Sequence, residues 1–345
     1  MRGDGSSIDT KMIDTKNQLH IAMYPWFAIG HLTSFLHISN KLADRGHRIS
    51  FFLPQKTIPR FKPFNLHPHL ITLFPIAVPS VAGLPPGAET TADAPSSIPL
   101  IMTAMDHTQP MIKASLQELR PDFVFFDFTH WLPAIARNLG IKSVHYCTVS
   151  PATVGYLLSP ERNAPHTAAD LMGPPPKFPH PRISISAHEA RTVAAVHSME
   201  FGAPGLTFAE RQLRSLAECD AIGFKTCREM EGPYCDYVES QFNRPVILAG
   251  PVLPEMPKSG LEERLSTFLA RFAPGTVVFC ALGTECVLPM DGFQELVLGL
   301  ELTGYPFLCA VKPPDQFASV AAALPEGFEE RVRGRGEVWG EWVEQ

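Results

Sequence analysis

This 345-residue sequence lacks the motifs that mark several common enzyme classes. No GxGxxG follows the first apolar strand and no GxxxxGK(S/T) occurs, which argues against a dinucleotide oxidoreductase and against a P-loop kinase. No GxSxG turn is present to expose a nucleophilic serine of the hydrolase kind. Any nucleotide must therefore be held by a different arrangement of residues.

Paired cysteines, excess positive charge and long apolar runs are also missing. The seven cysteines contain no CxxC pair and are odd in number, which favours reduced structural thiols over a metal site or a disulfide framework. The net charge of -6 gives no electrostatic reason to expect a nucleic-acid partner. No apolar run is long enough to span a bilayer, and residues 1–17 have no apolar signal-peptide core, so the sequence predicts a cytoplasmic protein without a transmembrane segment.

The sequence does contain a repeated alternation of strand-like and helix-like segments. Short apolar runs have the length of buried strands at 19–23, 48–53, 70–75, 122–126, 142–147, 221–225, 245–248, 276–282 and 305–311. Apolar residues recur at helical spacing at 32–43, 101–119, 131–139, 191–199, 208–217, 261–272 and 289–303, and Pro110 breaks the second of these stretches. This order is typical of a parallel α/β sheet, and the stretches 78–99 and 160–182, rich in proline, are predicted to be loops.

Chain length and one proline-rich stretch predict two domains. With 45% hydrophobic residues the chain can bury one large core or two smaller ones, and two is the better expectation. We expect a flexible N-terminal extension over 1–16, an N-terminal domain over 17–248, a linker over 249–260 and a second domain over 261–345.

His31 is the first candidate for chemistry. It lies in the first turn of a predicted helix, at the carboxyl end of the strand at 19–23. The partial positive charge of a helix N-terminus disfavours protonation of an imidazole, which leaves a neutral ring able to accept a proton as a general base. A histidine that only satisfies a local hydrogen bond remains the alternative.

Asp127 is the second candidate, because it directly follows the strand at 122–126. Polar residues at the carboxyl ends of parallel strands meet at the ligand-binding edge of an open α/β sheet. A carboxylate that accepts a hydrogen bond from one imidazole nitrogen stabilises the imidazolium formed at the other, so Asp127 and His31 can together activate a hydroxyl. Its alternative role is that of an N-cap or turn residue before the helix that begins near His130.

A weaker candidate is Gly283-Thr284, which follows the predicted strand at 276–282. A hydroxyl and exposed amides beside a helix start can hold a phosphate. A tight turn between strand and helix is the alternative.

Six separated motifs give the chain a family resemblance. They are PWFAIGH at 25–31, DFTHWLP at 127–133, AGP at 249–251, GT at 283–284, LPEGFEER at 324–331 and WVEQ at 342–345. In this order they resemble the plant family 1 UDP-glycosyltransferases. The contexts of Trp26 and His130 are most similar to the branch that adds a second sugar to flavonoid or anthocyanin glycosides.

The resemblance implies an α/β fold of two Rossmann-like domains in the GT-B arrangement, with the second domain incomplete. It implies that His31 is the catalytic base and Asp127 its supporting carboxylate, in an inverting transfer without a metal ion. The only co-substrate would be a UDP-sugar, bound mainly by the second domain. The acceptor would be a small apolar or glycosylated molecule bound mainly by the first, and the protein would act as a monomer.

The resemblance also assigns binding residues. Positions on the donor side are Gly30, Thr148, Gly283, Thr284, Trp342 and Gln345. Positions on the acceptor side are Phe27, Ile29, Trp131 and Ser150. The residue matching Trp342 stacks on uracil in the family; without the resemblance, Trp342 would be interpreted as an apolar anchor.

The segment at 342–345 corresponds only to the opening of the donor-binding box of this family. We therefore expect a truncated product with impaired donor binding. Two classes of function stay open: a UDP-glycosyltransferase, and a non-catalytic protein or gene fragment that keeps the acceptor cleft.

Overall fold

The computed structural model describes residues 18–162, 167–253, 261–283 and 286–340. The chain forms two compact units, Met1–Glu255 and Met256–Gln345. Each contains a parallel β-sheet with helices, which confirms the predicted α/β class. Within the described ranges, no helix has the length and apolar character needed to cross a membrane. The predicted extension at 1–16 lies outside the described residues.

The N-terminal unit is built on a seven-stranded parallel sheet with the strand order β3-β2-β1-β4-β5-β6-β7. The strands are β1 (His20–Tyr24), β2 (Arg48–Pro54), β3 (Ile71–Ile76), β4 (Phe123–Phe126), β5 (Lys142–Cys147), β6 (Ala221–Phe224) and β7 (Val246–Leu248). All seven overlap runs that the sequence predicts to be strands, because short apolar runs between turn residues are a local signal.

Helices connect these strands. They are α1 (Ile29–Ala43), α2 (Ile58–Phe61), α3 (Ile98–Asp106), α4 (Gln109–Leu119), α5 (Leu132–Asn138), α6 (Pro151–Leu157), α7 (Ala168–Met172), α8 (Ala187–Ser198), α9 (Phe208–Glu218) and α10 (Arg228–Phe242). Short 3-10 turns at Gln55–Thr57, Lys62–Phe64 and Pro95–Ser97 accompany them.

Two local predictions need correction. Helix α7 lies inside the stretch 160–182 that was expected to be a loop, because Thr167 and Asp170 form a capping box that starts a helix despite the neighbouring prolines. The helical stretch at 101–119, which was expected to be broken by Pro110, is two helices, but the break between α3 and α4 precedes Pro110. Pro110 lies in the first turn of α4, where its missing N–H has no helical partner to lose.

The strand order places β1 and the central strand β4 side by side inside the sheet, and the connections run in opposite directions from this point. Strand β1 pairs with β2 on one side and with β4 on the other, and Tyr24 lies opposite Phe126. The residues that follow β1 and β4 therefore leave the sheet side by side. In open α/β sheets this switch point is the crevice where ligands bind.

Both faces of the N-terminal sheet are covered, and the residues of β1 show it. Ala22 and Tyr24 belong to one hydrophobic cluster, and Ile21 and Met23 belong to another. Successive side chains of a strand point to opposite faces, so two clusters are expected when helices cover both sides. This burial explains why β1 reads as a continuous apolar run.

The C-terminal unit has a three-stranded parallel sheet with the order β10-β9-β8. Its strands are β8 (Val278–Ala281), β9 (Phe307–Ala310) and β10 (Gly336–Trp339), and its helices are α11 (Glu263–Leu269), α12 (Met290–Leu302), α13 (Val320–Ala323) and α14 (Phe328–Arg331). Phe293, Val297 and Phe307 form the centre of its core. Among the described residues, its sheet has fewer strands than that of the N-terminal unit.

Candidate active site

His31 and Asp127 meet at the switch point, although they are 96 residues apart in sequence. His31 lies in the first turn of α1, and Asp127 is the residue after β4. The His31 Nδ1 atom is 2.5 Å from Asp127 Oδ2. The His31 side chain is 22% exposed and that of Asp127 is 2% exposed, so the ring can meet a ligand while the carboxylate stays away from water.

The second carboxylate oxygen of Asp127 is also engaged. The Trp26 backbone N–H donates to Asp127 Oδ1 at 2.5 Å. Asp127 thus links the end of β4 to the turn that leads into α1. The N-cap of α5 is Trp131, and no side chain caps that helix, so Asp127 does not have the alternative role of a helix cap.

Two opposing effects act on the Asp127 carboxyl. Burial raises its pKa above the ordinary value, and the charge and hydrogen bond of His31 act in the opposite direction. When Nδ1–H of His31 donates to this carboxylate, Nε2 is the nitrogen left to accept a proton. The imidazolium formed in that way would have a buried counter-charge.

A cavity of about 220 Å³ opens beside the pair. Thr148, directly after β5, lines it, and its hydroxyl oxygen is 3.4 Å from His31 Nε2. The walls are mainly apolar, and three buried polar side chains also line it: His145, His197 and Gln212. The site can therefore accept an apolar ligand that brings a hydroxyl to His31.

His145 is held neutral within this wall. Burial, and then the nearby His31, lower its pKa to about 3. Its ring stacks on Phe126, with centroids 5.3 Å apart. Nothing in the sequence spacing marked His145 or Gln212, because each lies inside a regular element, and only packing turns it towards the cavity.

Other predicted site residues lie away from the cavity lining. The side chain of Phe27 is fully buried in a hydrophobic cluster, Ile29 is buried in another, and the Trp131 indole N–H donates to Asp106 Oδ1 at 2.8 Å. Ser150 is the N-cap of α6, where its hydroxyl accepts from the Thr153 N–H. Their acceptor roles stay predictions.

The donor-side residues are only partly described. Gly30 is exposed in the first turn of α1, with open space where a side chain would start. Gly283 follows β8 with a φ of +81°, a left-handed conformation that favours glycine, which supports a tight turn there. Thr284, Trp342 and Gln345 lie outside the described residues.

The described residues contain no group of three or more metal-ligating side chains close enough to hold an ion. All seven cysteines are free thiols.

Comparison of structures defines the fold class. The chain superposes on a Glycyrrhiza uralensis glycosyltransferase solved with glycyrrhetinic acid 3-O-monoglucuronide, with a TM-score of 0.72 and 19% identity over 94% of this chain and 69% of that one. A UDP-glucose:anthocyanidin 3-O-glucosyltransferase solved with UDP gives a TM-score of 0.68 at 20% identity, covering 95% and 73% of the two chains. This is the GT-B fold that the motifs implied.

Sequence comparison defines the family. The chain is 56% identical over 330 residues to a cyanidin 3-O-galactoside 2''-O-xylosyltransferase of Actinidia chinensis var. chinensis, covering 94% of this chain and 72% of that protein. It is 54% identical, with the same coverage, to an anthocyanidin 3-O-glucoside 2''-O-glucosyltransferase of Ipomoea purpurea. No family model matches the chain. The chain belongs to the plant UDP-glycosyltransferases.

Proposed function

We propose that His31 is the general base of a sugar transfer from a UDP-sugar and that Asp127 supports it. The observation that carries this proposal is the hydrogen bond of 2.5 Å between His31 Nδ1 and Asp127 Oδ2 beside a ligand-sized cavity. A base held in one tautomer by a buried carboxylate is suited to remove a proton from a neutral hydroxyl.

The steps follow from that geometry. The acceptor hydroxyl gives its proton to His31 Nε2 while its oxygen attacks the anomeric carbon of the donor sugar. The bond between that carbon and the diphosphate oxygen breaks, and UDP leaves with the bonding electrons. Attack opposite to the leaving group inverts the anomeric centre, and the charge of Asp127 stabilises the imidazolium in the transition state.

We infer that the acceptor is a flavonoid-type glycoside. Two relatives named above act on cyanidin 3-O-galactoside and anthocyanidin 3-O-glucoside, as their names state. The apolar walls of the cavity suit an aromatic ring system, and Gln212 and His197 provide buried polar contacts for its hydroxyls.

We further propose that Thr148 approaches the donor sugar, that the N-terminal unit binds the acceptor and that the C-terminal unit binds the UDP-sugar. We also propose that the protein acts as a cytoplasmic monomer, and the free state of its seven cysteines supports a reducing compartment. A non-catalytic protein that binds an acceptor in the cavity beside His31 is the second candidate, because the same apolar walls would serve binding without transfer.

The test is transfer from UDP-sugars to an anthocyanidin 3-O-glucoside, with products separated by chromatography. His31→Ala is expected to lower kcat by about 10²–10⁴-fold, because only proton removal in the transition state is lost. His69→Ala, at an exposed histidine, is the matched control and should keep full activity. A His31→Ala variant with normal turnover would show that His31 is not the base.

A further inference from the structure

A buried ion pair lies outside the cavity lining. The Arg211 side chain on α9 is fully buried, and its Nη2 atom donates to Asp106 Oδ2 at 2.6 Å. Asp106 is the last residue of α3. Each N–H donor of a fully buried arginine needs a hydrogen-bond acceptor. The acceptors of its other nitrogens therefore show which parts of the chain the ion pair holds in place.

Two of those partners are backbone carbonyls in different loops. Arg211 Nε donates to the Phe201 carbonyl at 2.7 Å, and Nη1 donates to the Phe128 carbonyl at 3.2 Å. Nη1 also lies 3.1 Å from Nδ1 of His130. Burial, and then the charge of Arg211, lower the pKa of His130 to about 4, so its neutral ring can accept this bond.

The Asp106 carboxylate holds the same region from the other side. Its Oδ1 accepts the Trp131 indole N–H at 2.8 Å, and its Oδ2 accepts the Ala203 backbone N–H at 3.1 Å. Arg211 and Asp106 therefore hydrogen-bond to the turn after β4 at two residues, Phe128 and Trp131. This turn starts with Asp127.

Phe128 is the residue in that turn that most needs support. Its φ is +54°, a left-handed conformation that costs free energy for any residue with a Cβ atom. Its ring meets the His31 ring edge to face, with centroids 5.4 Å apart, and stacks on Trp26. If the backbone of Phe128 relaxed to a negative φ, the neighbouring Asp127 carboxylate would shift. The Phe128 ring would also lose its contact with the His31 ring.

We propose that Arg211 and Asp106 are positioning residues, which hold the strained turn at Phe128 and thereby set the hydrogen bond between His31 and Asp127. The proposal rests on the role proposed for His31, because a fixed base matters only if it removes the proton. A purely structural pair would change the stability of the fold and leave this hydrogen bond unchanged in the folded protein.

The test measures the hydrogen bond between His31 and Asp127 directly. In the 345-residue protein with labelled histidines, the Nδ1–H proton of His31 bound to a carboxylate gives a low-field NMR resonance, assigned by its loss in His31→Gln. Arg211→Lys keeps the charge but cannot reach all the acceptors of the guanidinium. We expect this resonance to move upfield or disappear, and kcat to fall by about 10- to 100-fold with a smaller change in KM. Arg214→Lys, at an exposed arginine of the same helix, should leave both unchanged.

A second variant decides the question if Arg211→Lys does not fold. Trp131→Phe removes the indole N–H that Asp106 accepts while it keeps an aromatic ring beside Tyr24, and should give a smaller shift of the same resonance. An unchanged His31 resonance in the folded Arg211→Lys protein, or in Trp131→Phe where the lysine variant is unfolded, would overturn the proposal. If the parent protein shows the resonance but no transfer, the proposed function fails and the positioning test still stands.

Discussion

At the scale of single residues, Asp127 combines two demands that oppose each other. Its side chain is 2% exposed, and burial raises its pKa, so the folded protein disfavours the ionised form. The proposed reaction requires that form, because only a carboxylate stabilises the imidazolium. The hydrogen bonds from His31 and Trp26 N–H offset part of the cost of keeping the charge.

Asp127→Asn is therefore expected to lower activity and to raise stability at neutral pH. A carboxyl whose pKa is raised on folding contributes stability that is present below its unfolded pKa and lost as pH rises through its folded pKa. The asparagine does not titrate, so the Tm of the variant relative to the Tm of the parent should rise as the pH increases from about 4 through the folded pKa of Asp127. Thermal unfolding across this range measures the difference, and transfer should fall by about 10²-fold or more.

Asp220→Asn is the control, with the opposite sign expected. Burial raises the pKa of Asp220, but hydrogen bonds from Ser143 and Lys142 outweigh it and lower the pKa overall. Its stabilising effect is therefore present above the unfolded pKa, and the asparagine variant should lose stability at neutral pH. An Asp127→Asn protein that follows the same trend as Asp220→Asn would contradict the burial argument.

At the scale of elements, the connection between α8 and α9 packs closely against the buried ion pair of Arg211 and Asp106. Gly202 and Gly205 in this connection both have positive φ, at +87° and +73°. A Cβ atom on Gly202 would lie 2.3 Å from Arg211 Nη2 and 2.5 Å from Asp106 Oδ2, whereas one on Gly205 would meet nothing within 4 Å. The loop backbone thus approaches the ion pair where only glycine leaves room.

This difference gives a paired prediction. Gly205→Ala should lower the free energy of unfolding by about 1–2 kcal/mol, because a residue with a Cβ atom must then adopt the left-handed conformation. Gly202→Ala should lower the free energy of unfolding by more than this, because its methyl group also displaces the buried, hydrogen-bonded ion pair of Arg211 and Asp106. Urea unfolding of both variants measures the two free energies, and equal losses would mean that the ion pair moves aside without cost.

At the scale of the whole molecule, most of the described candidate residues belong to the N-terminal unit. His31, Asp127 and the cavity belong to the N-terminal unit, where the seven-stranded sheet supplies the switch point. The C-terminal unit offers Gly283 as its described donor-side candidate, on a three-stranded sheet.

A polypeptide of these 345 residues is therefore expected to bind a flavonoid glycoside more tightly than it binds UDP-glucose. Calorimetric titration with each ligand measures this difference. The cavity beside His31 is lined by residues of the N-terminal unit, whereas a diphosphate needs several charge-assisted donors and Gly283 is the described donor-side candidate of the C-terminal unit. Binding of UDP-glucose that is as tight as that of the glycoside, or tighter, would contradict the prediction.

The sequence alone determined the local features of the protein. The apolar runs of β1 and β4, the helical spacing after His31 and the turn at Gly283 depend on neighbours within a few residues, so composition and period are enough to locate them. Helix α10 was not foreseen, because Gly232 and Pro233 interrupt its pattern, and the structure bends there at Glu231.

Tertiary structure decided how distant residues meet. The sequence predicted that Asp127 and His31 lie at one edge of a parallel sheet, but the pairing of β1 with β4, which brings the two side chains into hydrogen-bond contact, is a property of the whole sheet. The same holds for Arg211, which has the sequence context of an ordinary helical arginine and becomes a buried anchor only when α3, α9 and the turn at Phe128 pack together. Contacts between elements far apart in sequence depend on burial and chain topology, and both exist only in the folded protein.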